Sequence, residues 1–240
     1  MNLVVDIGNT FVKLAVFEGD RLVKVLVKEN LNNKLFIQIY AQYAIKKAIF
    51  SSVRDSVADE NLLKKYNFHQ LSPKTPLPLA INYETPATLG LDRIAATVGA
   101  YHTYGNENVL TIDLGTCITF DFVNSKNEYL GGAIAPGFEM RFKALAQFTG
   151  KLPLINFERR KINTIGKTTE ECILSGVYWG MKHEIEGTIS RYLSQYESLK
   201  VVVTGGDLNL FDLEPKNRIF ADEFLVLKGL NEILKYNEEE

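Results

Sequence analysis

Two short acidic turns have residue types suited to chemistry. Residues 4–10 read VVDIGNT and residues 110–119 read LTIDLGTCIT. Each is an apolar run that ends in Asp-x-Gly and continues into small hydroxyl or amide residues. Gly8 and Gly115 lack the Cβ that would keep an anion away from backbone N–H groups, and Thr10, Thr116 and Thr119 can add hydroxyl donors. A carboxylate beside a phosphate is repelled unless a cation lies between them. Asp6 and Asp113 therefore point to a cation site facing bound phosphates. One such turn carries little, because Asp commonly closes a β-turn. Two at equivalent places suggest opposed jaws around a polyphosphate. Neither G-x-x-x-x-G-K-[ST] nor a G-x-G-x-x-G after a strand occurs, so this is not the standard nucleotide loop.

A third candidate lies between them, in YETPATLGLDRIAATVGAY at residues 83–101. Pro86 disfavours a helix before it, and Ile94, Ala95 and Val98 recur at helical spacing after it. Gly90-Leu91-Asp92-Arg93 then falls at a helix N-terminus, where the dipole favours an ionised carboxylate. Such an Asp92 can accept a hydroxyl proton, and Arg93 can hold a phosphate or carboxylate; taken alone, Asp92 reads first as a helix cap, which is the commoner role of an Asp at a helix start. GGAIAPG at 131–137 suits a tight loop against a ligand or a sharp connection to the next helix. Thr168-x-x-Glu171 reads as a capping box, which leaves Thr169 in the first turn with its hydroxyl available. VVVTGGD at 201–207 reads as a buried strand running into a Gly-Gly turn that can face a flat base or simply end the strand.

The elements that must position these residues come in a repeated order. The first half reads as a strand at NLVVDIG, a hairpin around EGDR, a helix over residues 34–47 and a strand at AIFSSV. The second reads as a strand at NVLTIDLG, a hairpin around NSKN, a helix over 138–150, a long helix over 168–195, a strand at KVVVTGG and a closing helix over 222–236. The order predicts a duplicated α/β fold. In the long helix, Gly176 and Gly180 each cost about 1 kcal/mol against alanine, which implies close approach of another helix from this chain or a second copy.

Composition bounds the function. The chain has 240 residues, a formal net charge of −2 and 46% hydrophobic residues, with no basic stripe of the kind nucleic acid requires. The apolar run at the N-terminus stops at Asp6 with no basic residues before it, so no signal peptide is expected. No window reaches the ~20 apolar residues of a membrane span. Cys117 and Cys172 lack Cys-x-x-Cys spacing, which fits a reduced, cytoplasmic protein. His69, His102 and His183 are scattered and suggest no zinc site. The EEE run at 238–240 reads as a frayed tail.

Together, DIGNT at 6–10, YETPATLGLDR at 83–93, DLGTCIT at 113–119 and GGAIAPG at 131–137 resemble the type III pantothenate kinases, members of the acetate and sugar kinase, heat-shock chaperone and actin superfamily. The Tyr-x-x-Pro-x-x-x-Gly-x-Asp-Arg segment is the most specific of the four. The resemblance implies two ribonuclease-H-like halves, residues 1–108 and 109–240, with ATP in the cleft between them. It implies phosphorylation of pantothenate as the first step of coenzyme A synthesis, by a homodimer using Mg-ATP and potassium or ammonium. By that resemblance Asp92 is the catalytic base. Tyr83, Gly90, Leu91, Arg93 and Thr169 contact pantothenate, with Thr169 reaching across the dimer. Asp6, Ile7, Gly8, Asn9, Thr10, Phe11, Val12 and Lys13 form the first ATP phosphate loop, and Thr116 also contacts ATP. Asp113 holds the monovalent cation and Asp6 serves Mg²⁺. The family usually has Ala where Cys117 stands, and Asn or Asp where Thr168 stands, so Thr168 and Thr169 compete for one role. The alternatives are another small-molecule kinase of the superfamily and a non-catalytic nucleotide-binding regulator on the same fold.

Overall fold

Strand β1 (Asn2–Ile7) is apolar on both faces, and Leu3, Val4, Val5 and Ile7 are all buried, as the centre of a covered sheet requires. It pairs antiparallel with β2 (Val12–Glu18), which pairs antiparallel with β3 (Arg21–Lys28). Helix α1 (Asn33–Gln42) follows, capped by Asn32, whose Oδ1 accepts the Leu35 N–H at 2.9 Å. Strand β4 (Lys47–Ser52) lies parallel to β1; after α2 (Val57–Lys65), the short β5 (His69–Gln70) lies parallel to β4. The sheet order is β3-β2-β1-β4-β5. The computed structural model describes residues 1–54, 57–105, 107–211 and 218–237; the acidic run at 238–240 lies outside them.

The helix expected over 34–47 ends at Gln42. Tyr43 turns to extended backbone, and the Lys46 N–H donates to the Met1 carbonyl, which draws the chain into β4. Strand β6 (Ala80–Ile81) and a 3-10 turn at Pro86–Thr88 lead into α3 (Leu91–Tyr104), which begins where the sequence places it.

The second sheet repeats the first. Strands β7 (Asn108–Leu114), β8 (Cys117–Val123) and β9 (Glu128–Pro136) precede α4 (Phe138–Phe148) and α5 (Thr169–Gln195). Then come β10 (Leu199–Thr204), β11 (Ile219–Ala221) and α6 (Leu225–Tyr236). Its order is β6-β9-β8-β7-β10-β11, with β10 parallel to both β7 and β11 and β6 parallel to β9, so every strand except β6 has its counterpart in the first sheet. The chain has the duplicated α/β fold that the order of elements predicts. The hairpin turn closes with Asn127 at φ +65°, and Asn124 Oδ1 accepts the Lys126 and Glu128 N–H groups. GGAIAPG is mostly strand, and only Gly137 makes the connection into α4.

The chain divides into two compact units. Unit 1 comprises Met1–Asn106, Val123–Gly131 and Phe224–Glu240; unit 2 comprises Glu107–Phe122 and Gly132–Glu223. The first break falls beside the expected one at 108, but the tip of the second hairpin and the closing helix belong to unit 1. The closing helix stays there through packing. Leu227, Leu230, Ile233 and Leu234 of α6 are buried with Ile94, Ala95 and Val98 of α3. The two backbones meet at Gly99 and Gly229, where a Cβ on Gly229 would lie 1.7 Å from the Ala95 carbonyl oxygen. Polar ties reinforce this. Asn231 donates to the Gly19 carbonyl at 3.0 Å, and Lys235 Nζ contacts Asp20 at 2.5 Å and Glu232 at 2.6 Å. His102, Asp20 and Glu232 are thereby gathered, which the spacing of histidines could not show, but the Lys235 ammonium already bridges the two carboxylates.

Candidate active site

In unit 1 the end of β1, the turn after it and the start of α3 supply the polar groups. The Gly8 N–H donates to the Phe11 carbonyl at 3.0 Å, which closes the turn and leaves Asn9, Thr10 and Phe11 exposed. Ile7 and Val12 flank the turn as buried core residues, so their side chains anchor the loop. Asp6 sits opposite Lys13 in the β1–β2 register. Burial pushes the Asp6 carboxyl up to about 6, Lys13 pulls it down and Asp92 pushes it further up. Asp6, Lys13 and Asp92 therefore share one electrostatic environment.

Asp92 lies in the first turn of α3, and its Oδ1 accepts the Arg93 N–H at 2.9 Å. The N-cap of α3 is Gly90 and no side chain caps it, so Asp92 does not play the capping role read from the sequence; its bond to the Arg93 N–H fixes the carboxylate within the first turn while its other oxygen remains an acceptor. Gly90 precedes the helix because a Cβ there would lie 2.7 Å from Asp92 Oδ1. Leu91 and Tyr83 pack as partly buried residues against the core, and Arg93 is buried.

In unit 2, Asp113 is the penultimate residue of β7 and Thr116 is exposed in the turn before β8. The Gly205 turn after β10 closes on this one. Gly205 has φ +103°, and a Cβ there would lie 2.5 Å from Asp113 Oδ1 and 2.3 Å from the Leu114 carbonyl oxygen. The Asp207 N–H donates to that same carbonyl at 2.9 Å. Asp207, not singled out in the sequence, is pushed up to about 6 by burial and by Glu139 of α4. Its signal lay in TGGD: an acid after a Gly-Gly turn ending a buried strand, raised once the fold buries it and brings Glu139 beside it.

Thr168 caps α5, accepting the Glu171 N–H at 3.1 Å. Glu171 answers through the Lys167 N–H at 2.6 Å, one residue before the N–H that a capping box uses. Thr169 stands exposed in the first turn. No atom lies within 4 Å of a Cβ placed on Gly176 or Gly180, so no helix of this chain approaches them among the described residues.

Two sheets of matching strand order, each carrying an Asp-x-Gly turn, make the fold that sugar kinases of the ROK family share. Solved structures agree in fold. The chain matches a ROK family glucokinase from Streptomyces griseus with TM-score 0.53 at 10% identity, covering 100% of this chain and 99% of that one. It matches a Campylobacter jejuni protein described as a Baf family transcriptional activator with TM-score 0.60 at 25% identity, covering 99% and 100%. The chain belongs to the type III pantothenate kinase family, whose sequence pattern matches residues 2–191. Type III pantothenate kinases of Christiangramia forsetii and Bacteroides fragilis are each 46% identical to it over 242 positions, covering 99% of this chain and 99% and 98% of theirs. That of Cytophaga hutchinsonii is 44% identical over 237 positions, covering 99% and 100%.

Proposed function

We propose that the chain transfers the γ-phosphoryl group of ATP to the primary hydroxyl of pantothenate, the first step of coenzyme A synthesis, in the cytoplasm. The observation that carries this reading is Asp92 at the start of α3, close enough to Asp6 in the first turn for its charge to act there. An acceptor base then stands beside a phosphate-binding turn. Asp92 orients the hydroxyl and takes its proton as the oxygen bonds to phosphorus and the bond to the β-phosphate oxygen breaks. The 6–13 turn, through its backbone, Thr10 and Lys13, and Thr116 in the second turn hold the phosphates. Tyr83, Gly90, Leu91 and Arg93 hold pantothenate.

The residues suit cations. The Asp6 carboxyl is desolvated beyond what Lys13 offsets, and a Mg²⁺ ion at Asp6, directly or through water, would offset the charge of the phosphates. A potassium or ammonium ion at Asp113 would do the same in unit 2. Support for a homodimer comes from the exposed Gly176 and Gly180 of α5, which no described residue of this chain covers. Thr169 on that helix would then meet the partner's pantothenate, while the Thr168 hydroxyl serves its own cap. Sedimentation at twice the 27.1 kDa chain mass is the expected result, and a monomer at working concentration would remove this part of the reading.

Likeness to the Campylobacter protein favours a second reading, a regulator that binds nucleotide without turnover. The presence of Asp92 with Asp6 and Asp113 speaks against it. The test is ADP release from Mg-ATP over a panel of acceptors in potassium, ammonium or sodium salts. Pantothenate should be the productive acceptor, and only with potassium or ammonium. Release with a sugar or short acid alone would mean another kinase of the superfamily; nucleotide binding without release would favour the regulator.

The Asp6 shift predicts a pH dependence. Its carboxyl titrates at about 6 in the fold against 3.8 in the unfolded chain. The folded state therefore holds the extra proton, and this group's contribution to stability is full below 3.8 and lost as pH rises through about 6. Ligand-free Asp6→Asn should match the native chain in thermal midpoint near pH 4, exceed it at pH 7.5, and lose turnover. Melts across that range check it; a variant less stable at pH 7.5 would contradict it.

A further inference from the structure

We infer that Tyr129 is a positioning residue for the pantothenate site, setting both Arg93 and Tyr83. The inference rests on the reading of those two as substrate contacts.

Tyr129 lies in β9 and is fully buried in the core of unit 1. Its hydroxyl sits 3.0 Å from Nη2 of Arg93 and accepts one of the guanidinium N–H bonds. A buried guanidinium is held by the acceptors around its planar fork, so this bond helps set the plane in which Arg93 offers its other donors. The other side of the phenol serves Tyr83. The two rings meet edge to face, with centroids 6.0 Å apart and planes at 61°. The backbone of Tyr129 acts on the same neighbour: its carbonyl accepts the Asn82 N–H at 2.9 Å, and it pairs with Ile81 in β6. Tyr83 follows directly. Two residues on, Gly131 has φ +102°, and a Cβ there would lie 3.3 Å from Tyr83 Cε2, so this strand also shapes the space for the Tyr83 ring.

The bond between Arg93 and Tyr129 joins positions 36 residues apart, on α3 and β9. A core phenylalanine would fill the same volume, but only a phenol can both back one substrate contact with its ring and accept from the other with its hydroxyl.

The test uses Tyr129→Phe in the full-length protein, with Gly131→Ala as a second variant that disturbs Tyr83 while leaving the Tyr129 side chain intact. Tyr129→Phe should raise KM for pantothenate about tenfold, while kcat and KM for ATP stay within about twofold. Gly131→Ala should raise the same KM. A purely structural tyrosine would lower the thermal midpoint without this split between the two substrates, and that result in both variants would overturn the proposal. Arg93→Lys and Tyr83→Phe are measured alongside. If neither changes KM for pantothenate, the underlying assignment of the substrate contacts fails; if either does and neither Tyr129→Phe nor Gly131→Ala follows, the positioning role alone fails.

Discussion

Asp92→Asn should lower turnover about 10²–10⁴-fold, the usual contribution of a general base, while Mg-ATP still binds within a few-fold of the native affinity. Asparagine has the same shape and retains an oxygen that can accept the Arg93 N–H, so the start of α3 should keep its form. What it loses is the capacity to take a proton. It also loses the negative charge that pushes the Asp6 carboxyl up. Steady-state kinetics and nucleotide titration by calorimetry check both halves. Turnover near the native rate would remove Asp92 from the reaction. Loss of nucleotide binding in step with turnover would mean that the residue organises the phosphate turn instead.

Gly229→Ala should be the most damaging single methyl in unit 1. The added carbon would lie 1.7 Å from the Ala95 carbonyl oxygen, a distance no side-chain adjustment relieves because both groups are backbone. Helices α3 and α6 would have to separate. Overpacking of this kind typically costs about 1–3 kcal/mol and sometimes more, so a fall in thermal midpoint of about 5 °C or more is expected. The effect should reach the chemistry, because α3 carries Asp92 and Arg93 at its first turn; KM for pantothenate should rise in whatever fraction remains folded. Gly150→Ala is the control, since nothing lies within 4 Å of its added carbon, and its midpoint should not move. Equal midpoints for the two variants would show that the α3–α6 contact is looser than the structure describes.

Much of the site is local in sequence and was legible there. An apolar run ending in Asp-x-Gly marks a buried strand entering a turn, and Pro86 followed by helical spacing marks where α3 begins. Gly90 could be placed but not explained, because its reason is the carboxylate oxygen that Asp92 folds back over it. The parts that were not legible are long-range. Tyr129 reads as one more aromatic in a strand until β9 is folded beside α3. Asp207 is raised by its burial and then by Glu139, and neither the burial nor that distant neighbour can be read from the local sequence. The closing helix reads as the end of the second half, and long-range contacts, among them the Gly99–Gly229 approach and the Asn231 bond to Gly19, assign it to unit 1. Strands β5, β6 and β11 have two or three residues each, too few to show a period of two. The chain after α1 is drawn into β4 by Met1, whose carbonyl takes the Lys46 N–H, and no reading of residues 34–47 alone contains that partner.

The most direct measurement of the central claim is the mass of the product formed from pantothenate and Mg-ATP, in potassium salt, by the native chain and by Asp92→Asn side by side. The native chain should convert pantothenate to a species heavier by one phosphoryl group, with equal release of ADP, and the variant should yield little of either. No phosphorylated pantothenate from a native chain that demonstrably binds ATP would contradict it.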